Sequence, residues 1–246
     1  MQGIISAKSL FYTYGSGRNR VEALKGVDLE VFRGEIFGFL GPNGAGKTTT
    51  IKLLLGILPN QKGELSLFGK NPSIPETRQS IGYMPEIADY YRYLTPVELL
   101  DMYGAFFRIE KSDLRGRIKE LMGLVGLEEA TGRLMQTFSK GMMQKVSFAQ
   151  ALVNDPDLLI LDEPTGGLDP VARKRMRKVI TDLRDKGKTI FFSSHELSEV
   201  ELVADRVGIL DKGKLKASGS LEDFLRGKGE KQTLENYFLQ IIEEKA

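Results

Sequence analysis

The amino-acid sequence predicts an α/β fold, with a core of strands and helices into which a mainly helical segment is inserted. Short β-like runs separated by Gly and Pro dominate the first third of the chain: LFYTY, VDLEV, EIFGFLG and GELSLFG. From about Leu94 to Leu152 the apolar pattern turns helical, and strand-like runs then return as LLILDEP, TIFFSSHE and RVGILDKG. A helical segment between two strand-rich segments indicates an insertion into an α/β core.

Individual helices are predicted from spacing and from capping residues. In TTTIKLLLGIL, the apolar residues of 51–58 recur at helical intervals, directly after a glycine-rich loop. TPVELLDMYGAFF begins with Thr95 as a helix cap, Pro96 at the first helical position and Glu98 three residues after the cap. Two further helical runs, LRGRIKELMGLVGL and SKGMMQKVSFAQALV, complete the inserted segment.

The last twenty residues have the pattern of an amphipathic helix. Its apolar face is formed by Leu234, Tyr237, Phe238, Ile241 and Ile242. The pattern allows two interpretations: the helix packs on its own domain, or it contacts a partner or a second copy of the chain.

Composition argues against several classes of protein. The 246 residues include 35 basic and 33 acidic ones, so we expect no general nucleic-acid-coating surface. Cysteine is absent, and neither disulfides nor a cysteine-ligated metal is expected. MQGIISAKSL lacks a basic segment followed by a long apolar one, so we expect no secretory signal. No run approaches the ~20 apolar residues of a membrane span, and any membrane connection is expected to go through a partner.

A phosphate-binding loop is predicted at GPNGAGKTT, which fits G-x-x-x-x-G-K-[ST] between the apolar strand EIFGFL and a helix. Its glycines let several backbone N–H groups converge on phosphate oxygens, and the helix N-terminus adds partial positive charge. Lys47 would neutralise the β- and γ-phosphates, and Thr48 would offer its hydroxyl to Mg²⁺. The residues expected to contact the nucleotide here are Gly41, Pro42, Asn43, Gly44, Ala45, Gly46, Lys47, Thr48 and Thr49.

Two acidic residues end the buried strand predicted at LLILDEP. The strand would deliver Asp162 and Glu163 to its carboxyl end, where α/β sheets bind ligands. Asp162 is the natural partner of Mg²⁺, and Glu163 can act as the general base on an attacking water. His195, the only histidine, ends another apolar strand and is expected at the same edge, within reach of a γ-phosphate or the water.

The order of motifs resembles that of the ATP-binding-cassette (ABC) ATPases: GPNGAGKTT, TFSKGMMQ, LLILDEP, GGLDP and a strand that ends in His195. This resemblance covers nearly the whole chain. It implies a P-loop NTPase core with an antiparallel β-subdomain and an inserted helical subdomain, in a single domain over residues 1–246. The expected parts are β-subdomain plus P-loop core (1–85), helical subdomain (86–153), the remainder of the core (154–225) and a C-terminal amphipathic helix (226–246).

Further site residues are implied by the resemblance. Two subunits of this family meet head to tail, so Ser139 and Gly141 of one chain would cover the γ-phosphate held by the P-loop of the other. Tyr14 resembles the aromatic residue that stacks on adenine, with Tyr12 as the alternative by register. Asp169 resembles the residue that links the two sites across the dimer.

The chain departs from the family pattern at two places. Phe138, Lys140 and Met142 replace the usual Leu, first Gly and Gln of the signature turn. Glu86 stands where the family normally has a Gln that reaches Mg²⁺, so an oxygen ligand is kept with a negative charge added. Variants of both kinds resemble those of stand-alone ATPases in drug, antibiotic and polysaccharide exporters.

The resemblance therefore implies an ATP-binding and ATP-hydrolysing transporter subunit, of the exporter kind, that uses ATP and Mg²⁺ at the cytoplasmic face of a membrane. Its expected partners are a separately encoded integral-membrane permease and a second ATPase subunit, as a homodimer or a heterodimer with a paralogue. The closely spaced Tyr90, Tyr91 and Tyr93 either pack within the helical subdomain or receive a short helix of the permease. Two alternatives are a soluble ABC ATPase acting on a ribosome, DNA or an assembly scaffold, and a regulatory module without turnover.

Overall fold

A computed structural model describes residues 3–226 and 232–243, apart from the side chains of Arg18 and Glu243. The strands in this part of the chain are β1 (Gly3–Tyr14), β2 (Val21–Phe32), β3 (Ile36–Leu40), β4 (Lys62–Leu67), β5 (Ile81–Met84), β6 (Leu158–Asp162), β7 (Thr189–Ser194), β8 (Arg206–Asp211) and β9 (Lys214–Ser220). The α-helices are α1 (Lys47–Leu54), α2 (Pro96–Phe106), α3 (Lys111–Val125), α4 (Lys140–Ala151), α5 (Pro170–Asp185), α6 (Leu197–Glu201), α7 (Leu221–Arg226) and α8 (Leu234–Glu243).

These strands form two sheets. An antiparallel sheet has the order β2-β1-β4, and a larger sheet has the order β5-β6-β7-β3-β8-β9. In the larger sheet all neighbouring strands run parallel except β9, which is antiparallel to β8. An α/β core with a separate antiparallel sheet is the fold class that the sequence predicts.

The larger sheet is covered on both faces. On β6, Leu158 and Ile160 belong to the apolar layer shared with α1 and the antiparallel sheet. Leu159 and Leu161 belong to the opposite layer, shared with α2, α3, α4 and α5. Because neither face of the strand meets water, its sequence is a continuous apolar run without alternation.

The differences from the sequence predictions include three helices that were not expected, α5, α6 and α7, as well as two strands and one helix end. β5 and β9 were not expected, because β5 is only 4 residues long and β9 is polar and only partly buried. Helix α1 ends at Leu54, whereas helical spacing continued to Leu58. Gly56 has a φ of 65°, a left-handed conformation that stops the helix.

The helical insertion follows the predicted capping. The Thr95 hydroxyl accepts a hydrogen bond from the Glu98 amide at 3.2 Å, and Glu98 Oε2 accepts one from the Thr95 amide at 2.8 Å. This capping box starts α2 at Pro96, as the sequence indicates.

Helix α8 packs on its own domain. Leu234 is fully buried, and the other four residues of the predicted apolar face are partly buried against the core cluster that contains α2 to α5. Tyr237 stacks on Phe224 of α7, with ring centroids 4.5 Å apart. Residues 227–231 and 244–246 of the expected C-terminal segment lie outside the described residues. Across 3–226 and 232–243, no helix has both the length and the apolar character needed to cross a membrane.

Candidate active site

The strand register brings the predicted motifs to one edge of the larger sheet. Leu40 at the end of β3 lies opposite Ser194 of β7, and Asp162 at the end of β6 lies opposite Ser193. The loops that follow these three strands therefore meet, and they line a cleft of about 690 Å³. This is the edge at which open α/β sheets bind ligands.

Most of the predicted site residues line this cleft. They are Tyr14, Pro42, Asn43, Gly44, Ala45, Gly46, Lys47, Thr48, Thr49, Glu86, Asp162, Glu163 and His195. Four predicted residues do not line it: Gly41, Ser139, Gly141 and Asp169.

The phosphate loop is folded around Lys47. The Lys47 ammonium donates to the Gly41 carbonyl at 2.6 Å and to the Pro42 carbonyl at 3.4 Å, so Gly41 holds Lys47 without itself lining the cleft. Gly46 has a φ of 113°, and a Cβ there would lie 2.8 Å from the Ala23 carbonyl oxygen, so only glycine fits. As the cap of α1, Gly46 offers no side-chain acceptor to the first amides of the helix. Those amides and the helix dipole can therefore serve an anion.

Asp162 is held by two hydroxyl groups. The Thr48 hydroxyl donates to Oδ2 at 3.3 Å, and the Ser193 hydroxyl donates to Oδ1. Asp162 is only 2% exposed, so these bonds replace most of its contact with water. A threonine hydroxyl beside a fixed carboxylate is an oxygen donor set of the kind that Mg²⁺ prefers.

The backbone of Glu163 is strained and strongly held. Its φ is 52°, in the left-handed region that costs a non-glycine residue of order 1 kcal/mol. The Glu163 amide donates to both oxygens of Ser193, each at 3.2 Å, and its carbonyl accepts from the side chain of Gln144 at 3.3 Å and from the Gly166 amide at 3.0 Å. These bonds fix the direction in which the Glu163 side chain leaves the end of β6.

The Glu163 carboxylate lies between two basic groups. Oε2 is 2.9 Å from His195 Nδ1, and Oε1 is 3.8 Å from Lys47 Nζ. The side chains of Lys47 and Glu163 are nearly buried, whereas that of His195 is 55% exposed. The sequence predicts these three residues at one edge, and the structure brings them into contact.

Tyr14 and Tyr12 occupy different environments. Tyr14 lines the cleft, is 37% exposed, and has its hydroxyl 3.3 Å from that of Thr49. Tyr12 is 7% exposed and packs edge-on against the Tyr14 ring, with centroids 4.9 Å apart. Of the two register alternatives, only Tyr14 lines the cleft.

Glu86 adds a further carboxylate to the cleft, which Glu22, Asp162 and Glu163 also line. The charge of Glu86 acts on the phenol of Tyr83. Burial, together with the negative charges of Asp162 and Glu86, raises the pKa of Tyr83 to about 12. The cleft thus combines several carboxylates with the basic phosphate loop.

The signature turn lies away from the cleft of its own chain. Ser139 caps α4, its hydroxyl accepting from the Met142 amide at 3.2 Å, and it is exposed. The stem of Lys140 lies against Gly167, where an added Cβ would meet its Cδ and Cε at 3.0 Å. Asp169, two residues further on, caps α5 by accepting from the Ala172 amide at 2.9 Å. The turn of Ser139 and the loop of Asp169 are therefore neighbours on a surface outside the cleft.

Sequence reasoning missed Ser193 and Gln144, which hold the two acidic residues, and Lys25 and Lys212, which line the cleft on the side of Tyr14. A polar Ser193 inside the otherwise apolar β7 was a usable signal. Gln144 ends the motif TFSKGMMQ, but its bond to the Glu163 carbonyl depends on how α4 packs against β6. Lys25 and Lys212 belong to no recognisable motif, and only tertiary contacts bring them to the cleft.

Comparison with known proteins gives the chain a family. The family model described as "ABC transporter" matches residues 24–166, which contain the phosphate loop, the signature turn and the acidic strand end. The chain belongs to the ABC transporter family. It is an ATP-binding and ATP-hydrolysing cassette of that family.

The relatives are named as transporter subunits. An uncharacterized ABC transporter ATP-binding protein of Nostoc is 48% identical over 90% of this cassette and 68% of the relative. The bacitracin transport ATP-binding protein of Bacillus licheniformis is 42% identical over 87% of this cassette and 69% of the relative. A solved ATP-binding subunit of an ABC transporter has a TM-score of 0.87 and 31% identity, covering 97% of this chain and 99% of that one. Two other similar structures are described as dimeric cassettes. These names do not favour an ATPase of ribosomes, DNA or scaffolds.

Proposed function

We propose that the cassette hydrolyses ATP in a dimer to drive a separately encoded export permease. The observation that carries this proposal is the division of the site. Lys47, Asp162, Glu163 and His195 meet in one cleft, whereas Ser139 lies exposed outside it. A second subunit, either a copy or a paralogue, would supply its Ser139 and Gly141 to the γ-phosphate over this cleft.

Each residue of the cleft has a proposed role. Tyr14 stacks on adenine, the loop 41–49 wraps the phosphates, and Lys47 neutralises their charge. Glu163 takes the proton of the attacking water as general base. With Nδ1 turned to Glu163 at 2.9 Å, His195 keeps its Nε2 for the γ-phosphate or the water. The strained, fully bonded backbone of Glu163 supports this role, because a fixed base needs no reorganisation during the reaction.

Mg²⁺ would be held by Thr48 and Asp162, with Glu86 as a further oxygen donor. The described residues contain no group of three or more His, Cys, Asp or Glu side chains placed to hold a metal ion, and Mg²⁺ at a phosphate site needs none. It takes one or two protein oxygens and completes its coordination with phosphate and water. Bound there, the ion would offset the negative charge of the phosphates.

The permease would bind beside the cleft. A groove of about 760 Å³ is lined by aromatic and apolar residues of the insertion, among them Ile87, Tyr91, Tyr103 and Phe106. Ile87 is 75% and Phe106 is 71% exposed, an exposure that burial against a short permease helix would remove. Tyr90, in contrast, is mostly internal, and its hydroxyl bonds to the side chains of Ser147 and Gln150. We therefore assign Tyr91 to docking and Tyr90 to packing, while Tyr93 packs against Tyr91.

The names of the relatives support the exporter assignment and the proposed location. The relatives include proteins named for bacitracin transport, fluoroquinolone export and linearmycin resistance. The cassette would work at the cytoplasmic face of the membrane, held by its permease. The domain limits that we propose remain 1–85, 86–153, 154–225 and 226–246.

Co-purification from detergent-solubilised native membranes tests the proposal. The tagged wild type should bring down a multi-span membrane protein, and Phe106→Ser should lose it. Ile57→Ser is the matched control, because Ile57 is 60% exposed and lies outside the groove. If the tagged protein were recovered only with ribosomal or scaffold proteins, the exporter hypothesis would give way to that of a soluble ABC ATPase. If the purified protein bound ATP but released no phosphate, the hypothesis of a regulatory module without turnover would be favoured.

A further inference from the structure

We propose that Arg173 is a positioning residue that ties the loop of Asp169 to His195, so that contact with the second subunit sets the position of the histidine. This inference rests on the proposed function, because it concerns how the two ATP sites of a dimer influence each other.

Arg173 makes two contacts in different directions. Its Nε donates to the carbonyl of Leu168 at 3.0 Å, and its Nη1 donates to Glu196 Oε2. Leu168 immediately precedes Asp169, and Glu196 immediately follows His195. Both charged side chains are 28% exposed, so the pair is partly shielded from water and from salt. One guanidinium therefore bridges the two segments.

A second ion pair, between α5 and α6, does not bridge the Asp169 loop and the His195 segment. Arg177, one turn further along α5, donates twice to the Glu199 carboxylate, at 2.7 and 2.6 Å. It holds α6 without touching either the Asp169 loop or the residue next to His195. The Arg177–Glu199 pair therefore provides a natural comparison of equal chemistry.

The position of His195 depends on its neighbours in the chain. The imidazole Nδ1 lies 2.9 Å from Glu163 Oε2, and the His195 amide donates to the same oxygen at 3.4 Å. His195 lies between β7 and α6 rather than inside either. The Glu196 amide donates to the Ser194 hydroxyl at 2.9 Å, which folds this segment, and Arg173 anchors Glu196 from outside.

The backbone of Arg173 is also bonded directly to Asp169. The Arg173 amide donates to the Asp169 carbonyl at 2.9 Å in the first turn of α5. A partner subunit that presses on Asp169 would displace this turn and the Leu168 carbonyl together. Arg173 would carry that displacement to Glu196 and so to His195. Without Arg173, the two sites of a dimer should hydrolyse ATP more slowly and more independently.

The test compares Arg173→Met with Arg177→Met in purified, dimerising protein. Thermal unfolding, ATP affinity, kcat and the Hill coefficient for ATP are measured for each. We expect Arg173→Met to lower kcat ~10- to 100-fold at nearly unchanged ATP affinity, and to bring the Hill coefficient close to 1. Arg177→Met should lose similar thermal stability while keeping kcat and the Hill coefficient of the wild type.

A double-mutant cycle that combines Arg173→Met with Glu196→Ala tests whether Arg173 acts through Glu196, so the inference does not depend on one variant alone. If Arg173 acts through Glu196, the two substitutions together should lower kcat no further than either alone. Equal effects of Arg173→Met and Arg177→Met, or additive effects in the cycle, would overturn the inference and leave the proposed function standing. A folded wild type that releases no phosphate from ATP would overturn both.

Discussion

Replacing Glu163 with Gln separates ATP binding from ATP hydrolysis. The substitution keeps the shape of the side chain and an oxygen that can accept from His195 Nδ1, now 2.9 Å from Oε2. The backbone bonds of residue 163 to Ser193, Gln144 and Gly166 are also kept. We therefore expect the variant to fold with nearly the stability of the wild type.

The expected loss of rate follows from the loss of the base. General-base catalysis contributes roughly 10²- to 10⁴-fold, and the amide cannot take a proton from water, so kcat should fall by about this factor. ATP binding should be retained or strengthened. Glu163 lies 3.8 Å from Lys47 and shares the cleft with the carboxylates of Glu22, Glu86 and Asp162. Its neutralisation therefore frees Lys47 for the phosphates and removes one negative charge that repels them. At about 4 Å one pair of unit charges interacts by ~1 kcal/mol in water and ~4 kcal/mol near a protein surface.

Single-turnover phosphate release measures the loss of hydrolysis, and size-exclusion chromatography with ATP measures whether the variant binds ATP as a dimer. The variant should stay dimeric with bound ATP, while the wild type returns to monomers as ATP is consumed. Glu22→Gln is the matched control, because Glu22 lines the same cleft with its side chain 50% exposed and paired with Arg20. Full turnover by Glu163→Gln, or an equal loss in Glu22→Gln, would remove Glu163 from the mechanism.

Three further changes test separate parts of the structure. Tyr14→Ala should weaken ATP binding by ~1–3 kcal/mol, the value of one aromatic–base stack, and raise KM with kcat little changed at saturating ATP. Gly82→Ala should lower the free energy of unfolding by about 1–3 kcal/mol, because the new Cβ would lie 1.9 Å from the Ala151 carbonyl oxygen. Gly116→Ala, its control in α3, meets nothing within 4 Å and should raise that free energy by up to ~1 kcal/mol. EDTA should abolish phosphate release, and added Mg²⁺ should restore it.

Each of these three predictions has a result that would contradict it. A lower kcat at saturating ATP in Tyr14→Ala would mean that the ring acts on the chemical step. Equal urea midpoints for Gly82→Ala and the wild type would mean that β5 and α4 do not pack as closely as described. Phosphate release that persists in EDTA would exclude a role of Mg²⁺ at Thr48 and Asp162.

Much of the fold could be predicted because its signals are local. The apolar run before Asp162, the glycine loop around Lys47 and the cap at Thr95 each express the conformation of a short segment. β9 could not be predicted in this way, because a polar, partly buried strand is stabilised by pairing with β8 and not by its own pattern.

The same division holds for the site. The sequence by itself determined which motifs would meet in the cleft, because the phosphate loop, the two acids and His195 each follow a recognisable strand. Only the tertiary structure decided that Tyr14 and not Tyr12 meets the cleft, that Ser139 lies outside it, and that Arg173 reaches Glu196. Those contacts join residues distant in the chain, so their geometry depends on how the elements pack, which no local pattern encodes.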